Sequence, residues 1–297
     1  MSAFPQDILL IGAGYIGRHV AHQLRKNGCH LTLWVRSRQS SDALAKKGFR
    51  TVAADVSEKN SWSAVGKHFD AVIFMPSTRG GDEHDYQKLY LQGMQLAAQH
   101  FSDNTKLLFI SSTSVYLQQN GEWVHENSPT GDTAPKPACL LAAERIALMR
   151  GGTVIRLSGL YGPGRSPMCD RLARRLPLSV HDADRWLNHI HRDDAVSAII
   201  HMLAEPGGHI VNATDSLPVT RLELYRWLAA RTCLPELPLT QQREPRKRGN
   251  TNKRVSNKKL LSLGWTPAYP TYKQGYEHIL GSSATPGTTP TEKCHRL

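Results

Sequence analysis

The 297-residue sequence predicts an α/β fold: a doubly wound parallel sheet with helices on both faces, followed by a smaller C-terminal lobe. Three observations predict it. Short apolar runs alternate with helical patterns through the first half of the chain, as parallel β-α-β units require. A glycine-rich turn, GAGYIG, joins the first run to the first helix. After Leu157 the alternation gives way to segments rich in glycine and proline.

The expected strands lie at 8–11, 31–35, 51–54, 71–75, 106–111 and 153–157, each a short apolar run bounded by polar or turn residues. The spacing predicts helices over 15–27, stopped by Gly28, over 86–100 and over 140–150. In the last of these, Leu140, Leu141, Ala143, Ile146 and Ala147 build an apolar face, and Glu144 and Arg145 fall on the polar side. Further helices are expected at 195–203, 220–232, 257–263 and 272–280, with a strand at 209–212. The tail 281–297 is small, polar and proline-containing, and disorder is expected there.

Composition excludes several classes. No apolar run reaches the roughly 18 residues of a membrane span. The N-terminus lacks a basic segment before its apolar stretch, so it does not read as a signal peptide, and a cytoplasmic location is expected. Five cysteines (Cys29, Cys139, Cys169, Cys233 and Cys294) form no CxxC pair, which argues against a disulfide framework or a zinc cage. The formal charge is +12, and the stretch 243–259 contributes much of it, with eight basic residues and one acid. No aromatic residue interleaves those basic ones as a base-stacking platform would need, so nucleic acid is not the expected partner.

In LLIGAGYIGRHV, Gly12, Gly14 and Gly17 form GxGxxG between a strand and a helix, the context in which that motif binds a dinucleotide in a Rossmann-type fold. Gly12 permits the tight turn, Gly14 lets the backbone approach a pyrophosphate, and Gly17 lets the helix pack on the sheet. Tyr15 and Ile16 complete the loop, whose N–H groups face the anion. The alternative is a tight β-α turn with no ligand. At the end of the second strand the chain reads VRSRQS. Arg36, with Ser37 and Arg38 behind it, offers a guanidinium for a 2′-phosphate, and no carboxylate is present for a bare ribose. NADP(H) is therefore expected, with NAD(H) second; a pair of surface arginines is the alternative. Asp55, after the third strand, either approaches the adenine or caps its own loop.

GxGxxG, AADV, FISSTSVY, RLSGLYGPGR, NHIHRDDAVSAI and KRVSNKKLLSLGW occur in that order. The ordered set, from residue 8 to residue 280, resembles the extended short-chain dehydrogenase/reductase superfamily, the NAD(P)-dependent epimerase/dehydratase group. The glycine spacing departs from that group's GxxGxxG and is similar to an atypical bacterial branch. The resemblance implies roles by position. Ser112 takes the place of the Ser/Thr that hydrogen-bonds the substrate oxygen, with Ser111 on the cofactor side and Thr113 on the substrate side. Met75, Pro76 and Ser77 line the cofactor ribose, and Gly159, Leu160 and Tyr161 pass near the nicotinamide. Tyr116 belongs to an altered VYG signature. Arg165 faces substrate, and Arg254, beside Lys253, meets a substrate phosphate or carboxylate or else lies in a solvated loop. His189, His191, Asp193 and Asp194 become a strand followed by a helix N-cap, so no metal is expected.

One departure matters. The family's helix ending in Ala-Glu begins with a YxxxK pair, whose tyrosine relays a proton. Counting back from Ala143-Glu144 places Lys136 at the tyrosine and Leu140 at the lysine. Lys136, between Pro135 and Pro137, is expected in an extended, solvated segment just outside the helix.

These readings combine into a nucleotide-binding domain of residues 1–157 plus 186–214 and a substrate lobe of 158–185 plus 215–280. The expected activity is that of an NADP(H)-dependent oxidoreductase or epimerase/dehydratase-like enzyme. Its substrate is small, phosphorylated or sugar-like, its acid/base group is not the usual one, and a homodimer is allowed for. The rivals are a non-catalytic dinucleotide-binding protein, a redox sensor or scaffold, and, more weakly, nucleic-acid binding through 243–259.

Overall fold

The computed structural model describes residues 4–78, 80–132, 134–243 and 251–282. Most of the expected tail and part of the basic stretch, residues 244–250, lie outside the described residues. Five strands open the sheet: β1 (Asp7–Ile11), β2 (His30–Val35), β3 (Arg50–Ala53), β4 (Ala71–Phe74) and β5 (Lys106–Ser112). With Thr153–Leu157 and Ile210–Ala213 they form one seven-stranded sheet, in the order Ile210–Ala213, Thr153–Leu157, β5, β4, β1, β2, β3. The pairings β1–β2, β1–β4, β2–β3 and β4–β5 are all parallel. Ile8, Leu9 and Leu10 are fully buried, as are all four residues of β4, which is why these strands read as unbroken apolar runs.

Strand order reverses between β1 and β4, the topological switch point at whose carboxyl side ligands bind in such sheets. Helices α1 (Gly17–Lys26) and α2 (Arg38–Ala45) follow β1 and β2. α1 ends as expected: Asn27 is its C-cap and Gly28 takes φ +87°. The helix expected from residue 86 begins at Glu83, where Asp82 and Asp85 form a capping box. It passes through a wide turn, Gln87–Gln92, before Gly93–His100, and that wide turn is the kind of irregularity often found beside functional sites.

The chain divides into two compact units. The first holds residues 1–115, 130–156 and 196–211; the second holds 116–129, 157–195 and 212–297. The division gives 116–129 to the second unit, whereas the sequence reading assigns it to the nucleotide domain. The reason is a short parallel ladder, Glu122–Val124 on Lys253–Val255, between segments far apart in sequence. Residues 186–195 also fall in the second unit. There Trp186–Leu187 pairs antiparallel with Val219–Thr220, and His189–His191 pairs parallel with Gly159–Tyr161.

The second unit has its own core, with Tyr161, Leu172, Leu178, Leu224, Leu228, Tyr276 and Ile279 buried together. Helix Arg221–Thr232 is held at its start by a capping box of Thr220 and Glu223. Helix Tyr272–Ser282 carries two residues that the sequence reading gives to the tail. The described part of the basic stretch is not a loop: it contains the strand Lys253–Val255 and opens the helix Lys258–Ser262. No helix among the described residues is long and apolar enough to cross a membrane.

Candidate functional site

In the first unit the loop after β1 meets the loop after β4. Gly12 has φ +103°, and a Cβ there would lie 2.5 Å from the Met75 carbonyl oxygen and 2.9 Å from the Pro76 Cα. Glycine is thus required twice at this position, for its conformation and for the close approach. A Cβ on Gly17 would stand 2.2 Å from the Gly12 oxygen, so α1 packs against the turn only because that residue has no side chain. Gly14 differs: a Cβ would have nothing within 4 Å. Nothing in the fold requires a glycine there, and the open space suits a ligand lying against the backbone. Ile16 caps α1 without a side-chain hydrogen bond, and no acidic residue occupies the first turn. The Arg18 and His19 N–H groups already bond to the Gly14 and Ile16 carbonyls, so what the first turn offers an anion is the positive end of the helix dipole, with no side chain or carboxylate in front of it.

At the tip of β2 Arg36 is exposed, with no ion-pair partner among the described residues. Ser37 is the N-cap of α2: its hydroxyl accepts from the Ser40 N–H at 3.3 Å. Arg38 lies in the first turn of α2 and pairs with Asp42 at 3.4 Å, a solvent-facing i,i+4 contact. The Asp55 carboxylate accepts from the Ser57 N–H at 2.9 Å and the Ser57 hydroxyl at 2.8 Å, which is the loop-capping arrangement.

β5 delivers the serines. Ser111 faces inward and donates to the Glu144 carboxylate at 2.6 Å. Glu144 also takes Arg156 in a forked pair, Nε to Oε1 at 3.0 Å and Nη2 to Oε2 at 2.6 Å. Both side chains of the pair are almost completely buried. One expectation changes here: Glu144 lies in the interior rather than on the polar side of its helix, and it accepts the hydrogen bond of the Ser111 hydroxyl. Ser112, partly exposed, accepts from the Ser114 N–H at 3.2 Å and starts the tight turn Thr113–Val115, in which Thr113 is buried.

Lys136 is not outside its helix. The helix runs Pro135–Met149 with Ala134 as N-cap, so Lys136 sits within the first turn. Two prolines are tolerated there because first-turn N–H groups have no intrahelical acceptor to lose. Nor is the side chain simply solvated: Nζ stands 5.4 Å above the ring of Tyr86, within cation–π range. Leu140, in the counted place of the lysine, is buried in the core. Tyr86 in turn lies beside Tyr90, ring centroids 5.0 Å apart. Burial pushes the Tyr90 hydroxyl up to about 12, with the neighbouring Tyr86 adding to the rise, while hydrogen bonds from Thr78 and Ser77 oppose it.

In the second unit Gly159 pairs with His189, Leu160 with Ile190 and Tyr161 with His191. The Tyr161 side chain is only 2% exposed; it stacks on Tyr276 at 4.5 Å, and its hydroxyl fills the space left by Gly275. It is a core residue, so only its backbone remains for the role the sequence suggests. Arg165 is exposed at the end of a tight turn, Gly162-Pro163-Gly164-Arg165, closed by backbone bonds between Gly162 and Arg165. Arg254 is gripped: its guanidinium stands 5.2 Å from the Trp123 ring and 4.9 Å from the Trp186 ring, and its Nε donates to the Gly121 carbonyl. Lys253 is buried, donating to the Tyr116 carbonyl at 2.8 Å and the Thr251 hydroxyl at 3.1 Å. Burial, assisted by Arg185, lowers its pKa to about 8.

Helix Arg192–Ala204 begins before Asp193, and the Asp194 carboxylate accepts from the backbone N–H groups of Ala268 and Tyr269, at 2.7 and 2.9 Å. His189 is buried, and its Nδ1 has no partner among the described residues. Desolvation, with Arg221 second, lowers its pKa to about 4 and keeps the ring neutral. Sequence reasoning missed Tyr86, Tyr90 and His278. The first two carry a faint signal, a Tyr-x-x-x-Tyr spacing on one helix face; His278 carries none.

Residues 8–214 match the NAD dependent epimerase/dehydratase family. No curated protein matches the chain. Among solved structures, a Methylobacillus flagellatus protein with a provisional assignment as an NAD-dependent epimerase/dehydratase is 27% identical. It covers 94% of this chain and 99% of its own, with a TM-score of 0.76. A conserved Silicibacter pomeroyi DSS protein of unknown function is 24% identical over 94% of this chain and 99% of its own, TM-score 0.74. The Thermus thermophilus UDP-glucose 4-epimerase, solved with NAD, is 20% identical over 90% and 96%, TM-score 0.74. The last two likenesses speak for the fold alone.

Proposed function

Because the chain belongs to the NAD dependent epimerase/dehydratase family, we propose that it is an NADP(H)-dependent oxidoreductase or epimerase/dehydratase-like enzyme acting on a small, sugar-like or phosphorylated substrate. The observation that carries the reading is the β1–α1 loop. It has a glycine with open space where a pyrophosphate would lie, and an uncapped helix start beside it. Gly12, Gly14, Tyr15, Ile16 and Gly17 would hold the pyrophosphate. Met75, Pro76 and Ser77 follow the adjacent strand at the switch point and would border the ribose. When bound, the nicotinamide supplies a hydride donor or acceptor. The sugar-like substrate class rests on the Thermus thermophilus neighbour, whose name gives UDP-glucose.

Arg36 supports NADP(H) over NAD(H), because an exposed guanidinium at the tip of β2 meets a 2′-phosphate with a charge-assisted hydrogen bond. Arg36→Ala should weaken NADPH by roughly ten- to hundredfold and leave NADH nearly unchanged. Fluorescence titration with both cofactors reads this directly. Equal losses would remove the arginine from phosphate recognition, and tighter binding of NADH by the unaltered protein would reverse the preference.

The chain's own contribution to chemistry falls to Ser112, whose hydroxyl would donate to the substrate oxygen. Lys136 is the second group, and the weaker one: its ammonium stands over the face of Tyr86, and no tyrosine stands in its helix to take a proton from substrate. The proton then comes from water or from the substrate itself, and turnover is modest. Ser112→Ala should reduce kcat by about a hundredfold, the scale of losing one oxyanion donor. Lys136→Ala should change kcat little, and neither change should move cofactor Kd. A kcat loss confined to Lys136→Ala would restore a lysine relay. The second reading, a non-catalytic dinucleotide sensor, is favoured by Leu140, which closes the lysine's place with core packing. Tight NADPH binding with no turnover on aldehydes, ketones or nucleotide sugars would select it.

A further inference from the structure

Three potential ligands converge in the second unit at a place no part of the dinucleotide reading uses. His191 ends the strand His189–His191, Asp193 lies in the first turn of the helix Arg192–Ala204, and His278 projects from the helix Tyr272–Ser282. One ligand atom from each of the three lies within 4.8 Å of those from the other two. We propose that His191, His278 and Asp193 form a binding site for a divalent transition-metal ion of the zinc type, completed by water.

The spacing carries the argument. His191 Nε2 and His278 Nδ1 are 3.4 Å apart. That is longer than a good N–H···N hydrogen bond. It is close to the ~3.3 Å that separates two nitrogens held on one tetrahedral ion at zinc–nitrogen distances of about 2.0–2.1 Å. The rings are also fixed. The His191 side chain has no exposed surface and packs edge-on against Tyr161 at 5.5 Å. Tyr269 stacks on His278 at 4.9 Å and meets the His191 ring at 4.1 Å, so one tyrosine sets both imidazoles. Two imidazoles and a carboxylate suit a borderline ion and do not suit calcium or magnesium, which prefer oxygen ligands.

Two features oppose binding and set its expected strength. Arg192 donates from Nε to Asp193 Oδ1 at 2.8 Å; it orients the carboxylate but repels a cation. The Asp193 N–H approaches His191 Nδ1 at 3.2 Å, which leaves the ring proton on Nε2. Coordination through Nε2 requires Nδ1 to take that proton and give up the Asp193 N–H, and the Asp193 carboxylate, whose Oδ2 stands 3.8 Å from Nδ1, must turn toward the Nε2 side to reach the same ion. The site should therefore bind reversibly, with moderate affinity.

The test uses the full chain, stripped with a chelator and titrated with Zn2+ against a chromogenic competitor. One ion per chain is expected. His278→Ala should weaken binding by more than about tenfold, with the metal-free melting temperature unchanged, while His125→Ala, at an exposed histidine that is not one of the three ligands, leaves binding as it was. Asp193→Asn provides a second variant should the first fail to fold. Co2+ should give visible d–d bands without a thiolate charge-transfer band, which separates this site from one built on the cysteines. No saturable binding, equal affinity in His278→Ala and the unaltered protein, or a thiolate band would overturn the proposal; each would mean that the two histidines only share a proton.

Discussion

Gly14→Val should abolish dinucleotide binding and leave the melting temperature where it was. The reason is a contrast among three glycines of one turn. A side chain at Gly14 meets nothing within 4 Å, so the folded protein accepts it, yet it fills the space over the backbone that a pyrophosphate needs. Gly12→Ala should do the reverse in its first effect. At φ +103°, with the Met75 oxygen 2.5 Å from the new carbon, the variant should lose at least about 2 kcal/mol of stability. Gly17→Ala, facing the Gly12 oxygen at 2.2 Å, should fall on the same side. Urea unfolding and NADPH titration, run on all three, separate the effects. Gly14→Val that still binds NADPH would show that the dinucleotide does not use this loop. Gly14→Val that loses stability like Gly12→Ala would show that the open space is not open.

The parts of this site that were legible in the sequence are those fixed by neighbours along the chain. GxGxxG states its geometry in six residues, because the left-handed turn, the packing of α1 and the helix end all arise within one β-α unit. The central strands were equally plain: burial on both faces leaves only apolar residues between turn signals. What stayed hidden depends on partners far away. Nothing around Glu122 tells that it will pair with Lys253, since three-residue parallel ladders leave no periodic mark. The basic stretch read as a solvated loop because charge suggests water; yet Lys253 is buried on carbonyl and hydroxyl acceptors, and Arg254 lies between two tryptophans that stand far from it and from each other in the sequence. Lys136 was misplaced for a different reason. Proline disfavours the helical conformation in the residue before it without forbidding it, and in a first turn the N–H groups that Pro135 and Pro137 lack would have had no intrahelical acceptor, so the helix starts ahead of Lys136. Asp194 looked like a cap because caps are acidic, whereas its carboxylate serves the loop at Ala268 and Tyr269.

Glu144→Ala should be among the most damaging substitutions in the first unit, with a loss of about 3–5 kcal/mol, the range for removing one partner of a buried ion pair. Glu144 is 2% exposed and Arg156 3%, so the guanidinium left behind could not recover its charge in water. The Ser111 hydroxyl would lose its acceptor as well, which adds a second unsatisfied group. Glu144→Gln, of the same shape, should fall between, because it keeps an acceptor for Ser111 but gives up the charge. The double variant Glu144→Leu with Arg156→Met should be less damaging than Glu144→Ala alone: it replaces both ions with apolar groups of similar reach and leaves no buried charge unpaired. Urea denaturation of Glu144→Leu alone, Arg156→Met alone and the double closes the cycle. Additive losses would mean that the pair is not energetically coupled. The cofactor affinity of the double variant then reads what the pair does beyond stability. Glu144 ties the helix that carries Lys136 to the strand that ends in Ser112 through Ser111, and to the strand Thr153–Leu157 through Arg156. If that tie only holds helix to sheet, the repacked double variant keeps both NADPH affinity and the effect of Ser112→Ala; if it also sets the position of Ser112, affinity survives and turnover falls.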